Sequence, residues 1–156
     1  MALGDCNSSI TNYMNNIVCS GALIYSLDTK RFLFLHRAQG KQSNLWGLVG
    51  GTNEGTETPW EGLKREIFEE IGEISIKKTI PLETFVSNDS QFHFHTYLCV
   101  VENEFIPKLN NEHNGYAWTS FNHWPKPLHH GLRNTLQSKV NLSKLETVFK
   151  VIDLLQ

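Results

Sequence analysis

Acidic side chains cluster in one short stretch of the chain, with a spacing that places them on one face of a helix. The stretch carries the glutamates Glu61, Glu66, Glu69, Glu70 and Glu73. Because successive residues on a helix are about 100° apart, the last four fall within an arc of about 100°. The apolar residues of this stretch occupy the neighbouring arc: Trp60, Leu63, Ile67 and Ile71. We therefore predict a helix over residues 58–71 with one apolar face and one face of clustered carboxylates.

Clustered carboxylates on a helix need a compensating charge. Like charges three and four residues apart destabilise an isolated helix by roughly 0.2–0.5 kcal/mol per pair. Arg65 offsets part of this repulsion through Glu61 or Glu69, but it is a single cation. Hard divalent cations such as Mg²⁺ would neutralise the cluster, since carboxylate oxygens are the ligands they prefer. A solvated acidic face is the alternative, and composition alone leaves both interpretations open.

The residues around this stretch carry signals that start and stop a helix. Pro59 suits the first helical turn, and Glu57 and Thr58 stand just before it. Gly72 lies near the other end, where a glycine stop is expected. The predicted helix is therefore bounded on both sides.

Length and charge narrow the classes of protein. The 156 residues fit one domain with its own core. A net charge of −2 gives no electrostatic case for nucleic acid or an anionic membrane as the main partner. No stretch approaches the roughly 20 apolar residues that span a bilayer, and the N-terminus lacks the pattern of a secretory signal. We expect a cytoplasmic protein.

The cysteines suit the same compartment. The three cysteines are widely spaced and form neither a CxxC pair nor a zinc pattern. Cys19 and Cys99 lie in apolar runs, so we expect buried free thiols there rather than a disulfide.

The rest of the chain alternates strand-like and polar segments. Residues 1–16 are polar and are predicted to be a tail or a loosely attached segment, with the folded domain at 17–156. Strands are predicted at 17–25, 32–36, 45–49, 74–76, 80–87, 91–102 and 116–120. Residues 37–44 and 103–114 are expected to be loops. Helices are predicted at 129–137 and 142–155. Mixed strands with one internal helix and a C-terminal helix pair indicate an α/β sandwich.

The spacing of the acidic stretch resembles the signature of the Nudix hydrolases. Gly51 is followed after five residues by Glu57 and after seven more by Arg65-Glu66, and then by Glu69-Glu70 and Gly72. The preceding segment, LWGLVGG, resembles the lead-in of the family. Two positions depart from the pattern: Val49 replaces a commoner proline, and Glu73 stands where an apolar residue is usual. The resemblance favours a metal site over a solvated face.

The resemblance implies a fold, a reaction and a set of roles. The fold would be a single-domain α/β/α sandwich with a mixed sheet, and the reaction the hydrolysis of a pyrophosphate linkage with Mg²⁺ or Mn²⁺. Glu69 and Glu70 would be metal ligands, and Glu66 would be a ligand or the base that deprotonates water. The Gly51 carbonyl would join the ligands. Arg65 would act in catalysis by organising them together with Glu57.

Further candidates lie outside the signature. Glu112 precedes a predicted strand, where some family members place an extra ligand or general base; a plain surface glutamate is the alternative. Arg37 and Lys41 are candidates for contacts with substrate phosphates. Aromatic and histidine side chains are candidates for substrate contacts, with packing or structural roles as the alternative: Trp46, Phe92 and His95.

The substrate is not decided by these residues. We expect a nucleoside diphosphate linked to another group, such as a nucleotide sugar, ADP-ribose or a dinucleoside polyphosphate. The alternatives are a (d)NTP pyrophosphohydrolase that removes modified nucleotides and a non-catalytic nucleotide-sensing module. Removal of pyrophosphate from RNA 5′ ends is a further option, which the near-neutral charge disfavours. The sequence also leaves open whether the chain is a monomer or a homodimer.

Overall fold

The computed structural model describes residues 16–155, which form a seven-stranded mixed sheet between helices. The strands are β1 (Ile17–Ser26), β2 (Arg31–Arg37), β3 (Trp46–Gly47), β4 (Val49–Thr52), β5 (Lys78–Val86), β6 (Phe92–Val101) and β7 (His113–Ser120). The helices are α1 (Pro59–Ile71), α2 (His130–Gln137) and α3 (Lys139–Leu155). Apart from Asn16, the predicted tail lies outside the described residues.

The centre of the sheet is β1, which runs parallel to β6 along its full length. On its other side, residues 19–22 pair with β4 and residues 24–25 pair with β2. Strand β2 in turn pairs with β3 and with β7. Strands β1 and β2 therefore diverge, with β4 beside β1 and β7 beside β2. Any contact between β4 and β7 spans the gap between the two diverging strands.

Two apolar cores lie on opposite faces of this sheet. The first packs α2 and α3 onto the sheet through Leu132, Leu136 and Leu145. The second packs α1 through Leu63, Ile67 and Ile71. Side chains along a strand alternate between faces, and β6 accordingly gives Phe94 and Leu98 to the first core and Cys99 to the second. The predicted α/β/α sandwich in a single domain is confirmed.

Helix α1 begins where its capping residues predict. Thr58 is the N-cap, and its hydroxyl accepts a hydrogen bond from Glu61 N at 3.2 Å. Thr58 N in turn donates a hydrogen bond of 3.4 Å to the Glu61 carboxylate, which completes a capping box. At the other end Gly72 N donates to Phe68 O at 3.1 Å.

Several predicted boundaries were wrong. Residues 74–76 are not a strand, because β5 begins at Lys78 opposite Val100 and β6 ends one residue later, at Val101. The predicted strand at 45–49 is divided at Leu48, where the chain changes its pairing from β2 to β1. Arg37, which we expected in a loop, is the last residue of β2. The last helix begins at Lys139 rather than 142.

Cys19 and Cys99 differ in their bonding state. Cys99 is a buried free thiol, as expected. Cys19 is disulfide-bonded, so the expectation of a free thiol was wrong there. Within residues 16–155, no helix combines the length and apolar character needed to cross a membrane. The cytoplasmic location and the oligomeric state stay predictions.

Candidate active site

Arg65 organises the acidic face of α1. Its Nε and Nη2 atoms lie 2.9 and 3.1 Å from the two carboxylate oxygens of Glu57. Its Nη1 atom donates to Glu66 Oε1 at 3.0 Å and to Glu69 Oε2 at 3.3 Å. Nη2 also donates to the Thr52 carbonyl at 3.0 Å, which ties the helix to β4. One guanidinium fork therefore fixes three carboxylates.

Glu70 is the most buried acid of this face, with 1% of its side chain exposed. Its Oε1 atom accepts a hydrogen bond of 2.9 Å from Gly50 N on β4. Its Oε2 atom lies 3.5 Å from Nδ1 of His113, the first residue of β7. Burial raises the pKa of Glu70 to about 8, and the Gly50 hydrogen bond partly opposes the shift. Glu70 thus spans the region where β1 and β2 diverge.

Glu66 lies directly against the backbone of Gly51. A Cβ atom on Gly51 would stand 2.6 Å from both Cδ and Oε1 of Glu66, so a larger residue there would displace the Glu66 carboxylate. Burial raises the pKa of Glu66 to about 7, and the hydrogen bond from Arg65 opposes that shift. Gly50 is more tightly constrained, because its Cβ would approach a backbone atom, Ser20 O, to 2.1 Å. The two glycines allow β4 to meet the acidic face at close range.

We call Glu57, Arg65, Glu66, Glu69 and Glu70 the carboxylate cluster. It combines two acids whose burial disfavours their charged form with Glu69, whose side chain is 51% exposed. A single arginine cannot balance four carboxylates, and oxygen-rich sites of this kind suit Mg²⁺ or Mn²⁺. The donor set therefore fits a divalent cation.

The structure brings Glu112 to the same place. Glu112 immediately precedes β7, and ligand atoms of Glu70, Glu112 and His113 lie within 4.8 Å of one another. Sequence analysis missed His113 because residues 103–114 were predicted to be a loop. His113 follows the candidate acid Glu112 directly in the sequence, just before the predicted strand that contains Tyr116 and Trp118. This position was the sequence signal that could have identified it.

The remaining candidates differ in burial and position. Arg37 is buried at the end of β2, in register with His113. Lys41 is exposed in the turn between β2 and β3. The ring of Trp46 lies 4.9 Å from that of His36. All three residues lie between the end of β2 and the start of β3.

Phe92 and His95 occupy opposite faces of β6. Phe92 packs against the core beneath α2 and α3. His95 lies 3.2 Å from Thr84 Oγ1 through Nδ1, and burial, together with His93, lowers its pKa. These two side chains therefore lie on opposite sides of the sheet.

A cavity of about 210 Å³ opens beneath α2, and we call it the aromatic pocket. From the sheet and the β3–β4 connection it is lined by Leu48, Glu83, Phe85, Phe92, Phe94 and Thr96. From α2 and its first turn it is lined by His129, His130, Gly131, Leu132, Asn134 and Thr135. Leu48 is two residues from Gly50, so one short segment connects the pocket with the carboxylate cluster.

Comparison with known proteins identifies the family. The NUDIX domain model matches residues 18–138. The chain therefore belongs to the NUDIX family, and it is a pyrophosphohydrolase.

The similar proteins span several named members of the family. A dihydroneopterin triphosphate diphosphatase of Haemophilus influenzae is 36% identical over 114 residues, which cover 63% of this chain and 70% of that protein. The MutT NUDIX hydrolase of Burkholderia pseudomallei has a TM-score of 0.62 at 24% identity, covering 80% of this chain and 98% of its own. The Ap4A hydrolase of C. elegans has a TM-score of 0.64 at 21% identity, covering 85% and 98%.

Proposed function

We propose that this pyrophosphohydrolase works with Mg²⁺ or Mn²⁺ held by Glu66, Glu69, Glu70 and the Gly51 carbonyl. The observation that carries the proposal is the convergence of the acids of α1 on one place, with Glu66 against Gly51 and Glu70 hydrogen-bonded to Gly50. When bound there, a divalent cation supplies neutralisation of pyrophosphate charge and polarisation of a phosphoryl oxygen.

The chain's own residues hold and orient the reacting groups. Arg65 fixes Glu66 and Glu69 through its guanidinium group, and Glu57 holds the other side of that group. Glu66 acts as a ligand or as the base that takes a proton from water. Glu112 acts as a further ligand or as that base. A rigid arrangement of this kind favours catalysis because reorganisation is completed before substrate binds.

We further propose that the substrate is a small triphosphate with one bicyclic ring system. The aromatic pocket has a volume of about 210 Å³, below the roughly 300–1,000 Å³ typical of sites for drug-sized ligands. It therefore suits a single heterocycle, whose faces Phe85, Phe92 and Phe94 could contact. Dihydroneopterin triphosphate is the first compound to test, because it is the named substrate of the Haemophilus influenzae relative.

A substrate panel with Mg²⁺ tests the proposal. It contains dihydroneopterin triphosphate, (d)NTPs, ADP-ribose, Ap4A, a nucleotide sugar and a triphosphorylated RNA. We expect the highest kcat/KM for dihydroneopterin triphosphate, with one water consumed and pyrophosphate released. Preference for ADP-ribose, Ap4A or the nucleotide sugar would refute the triphosphate proposal and support a nucleoside diphosphate linked to another group as the substrate. Silence across the panel, or full activity of Glu70→Gln, would refute the cation-dependent mechanism.

A further inference from the structure

We propose that His113 is a direct ligand of the active-site cation, so that Glu70, Glu112 and His113 form a mixed nitrogen–oxygen site. The inference rests on the proposed function only in using the same cation. It adds an imidazole nitrogen to a site that sequence analysis describes as all oxygen. It also adds a ligand from β7, which lies across the gap between β1 and β2 from β4.

The distances suit coordination. Ligand atoms of the three residues lie within 4.8 Å of one another. With metal–ligand bonds of about 2.0–2.2 Å, neighbouring ligands stand about 2.8–3.6 Å apart and opposite ones about 4.0–4.4 Å. The separation of 3.5 Å between His113 Nδ1 and Glu70 Oε2 matches neighbouring ligands, and it exceeds the usual 2.7–3.2 Å of an N–H···O hydrogen bond.

The backbone holds these side chains at the site. Ala38 N donates to Glu112 O at 2.9 Å, and Glu112 N donates to Asn110 Oδ1 at 3.1 Å. His113 is paired with Arg37 in the ladder of β2 and β7. The side chains of His113 and Glu70 are each 1% exposed. A cation there would therefore meet two buried side chains and the exposed carboxylate of Glu112, whose backbone is held by hydrogen bonds.

An imidazole ligand changes which cations bind best. Carboxylates and carbonyls suit Mg²⁺ and Mn²⁺ alike, whereas imidazole nitrogen favours Mn²⁺, Co²⁺ and Zn²⁺ over Mg²⁺. We expect the wild-type chain to bind Mn²⁺ at least about tenfold more tightly than Mg²⁺. Without the imidazole, this ratio should shrink.

Pulsed EPR of Mn²⁺-loaded protein tests the nitrogen ligand directly, without any substrate. The protein should carry no histidine tag, and a second sample should be labelled with ¹⁵N-histidine. We expect nitrogen modulation from a directly bound imidazole, with its frequency changed by the label. It should vanish in His113→Gln and persist in His123→Gln, a matched exposed histidine just after β7. Circular dichroism verifies that both variants fold.

A second measurement is independent of His113→Gln, which alters a buried residue. In Glu112→Gln, an exposed substitution, the Mn²⁺ affinity measured by calorimetry should fall at least about tenfold, with the nitrogen modulation retained in the bound fraction. The proposal is overturned if wild type shows no histidine nitrogen, if His113→Gln retains it, or if Glu112→Gln binds normally. Turnover without a nitrogen signal would overturn this inference alone, and a nitrogen signal without turnover would overturn only the proposed function.

Discussion

The carboxylate cluster and the aromatic pocket are built in opposite ways. The cluster comes from one contiguous stretch, residues 57–70, and its members are fixed by a single guanidinium fork and by the Gly50 amide. The pocket draws on the β3–β4 connection, on β5, β6 and α2, and its walls are mainly apolar. Glu83 joins two of these elements, because its Oε1 accepts a hydrogen bond of 2.8 Å from Thr135 Oγ1.

This difference separates two parts of the function. A dense negative site attracts a cation and determines which bond is attacked. An apolar cavity of limited volume determines which heterocycle accompanies that bond. Substitutions in the cluster should therefore lower kcat, whereas substitutions in the pocket should raise KM.

The largest effect is expected for Glu70→Gln. The variant keeps the shape of the side chain but cannot ionise to bind a cation beside Gly50, so kcat should fall by about 10²–10³-fold. Steady-state kinetics with saturating Mg²⁺ measures the loss. Glu73→Gln is the matched control, because Glu73 is exposed just beyond α1 and should leave kcat within about twofold of wild type. Equal losses in both variants would contradict a special role for Glu70.

Arg65→Lys should have the next largest effect. Lysine keeps the charge but cannot bridge Glu57, Glu66 and Glu69 with one planar group. We expect kcat to fall about 10–100-fold and more Mg²⁺ to be needed for half-maximal rate. Arg31→Lys is the control, since Arg31 also makes a two-pronged contact with a carboxylate, that of Glu104. This contact is at the start of β2, away from the cluster. A wild-type Mg²⁺ requirement in Arg65→Lys would show that the fork does not position the ligands.

Phe92→Ala should change binding rather than chemistry. Loss of an aromatic wall removes about 1.5 kcal/mol or more of apolar contact, which corresponds to a KM raised about tenfold. Val86→Ala is the control on the neighbouring strand, because Val86 is exposed and does not line the pocket. A lower kcat with unchanged KM in Phe92→Ala would place the heterocycle elsewhere.

The smallest effect is a pH dependence of stability in the metal-free protein. Burial raises the pKa of Glu66 to about 7 and that of Glu70 to about 8, from a usual value of 4.5. The folded state thus binds more protons than the unfolded state between about pH 4.5 and 8, so stability falls as pH rises through that window.

Thermal melting in EDTA from pH 5 to 8.5 measures this dependence. We expect Tm to decline with pH, and Glu70→Gln to decline less steeply. Added Mg²⁺ should raise Tm most at the alkaline end, because the cation binds the charged acids. A metal-free Tm that rises across this window would contradict the burial of these two acids.

The sequence predicted the elements whose signals are local. The period of the apolar residues and the capping signals around Thr58 and Pro59 predicted α1 to within a residue of its start. The two-residue period of a strand accounts for Phe94 and Cys99 lying on different faces of β6. The predicted strand at 74–76 was wrong because pairing depends on a neighbouring strand, and β6 ends before it can supply one.

What the sequence by itself determined is the common face of Glu66, Glu69 and Glu70, because residues three and four apart on a helix must share a face whatever packs around them. The tertiary structure alone decided that His113 meets Glu70. It also assembled the aromatic pocket. These contacts join residues distant in the chain, and they depend on strand register, which local spacing does not encode.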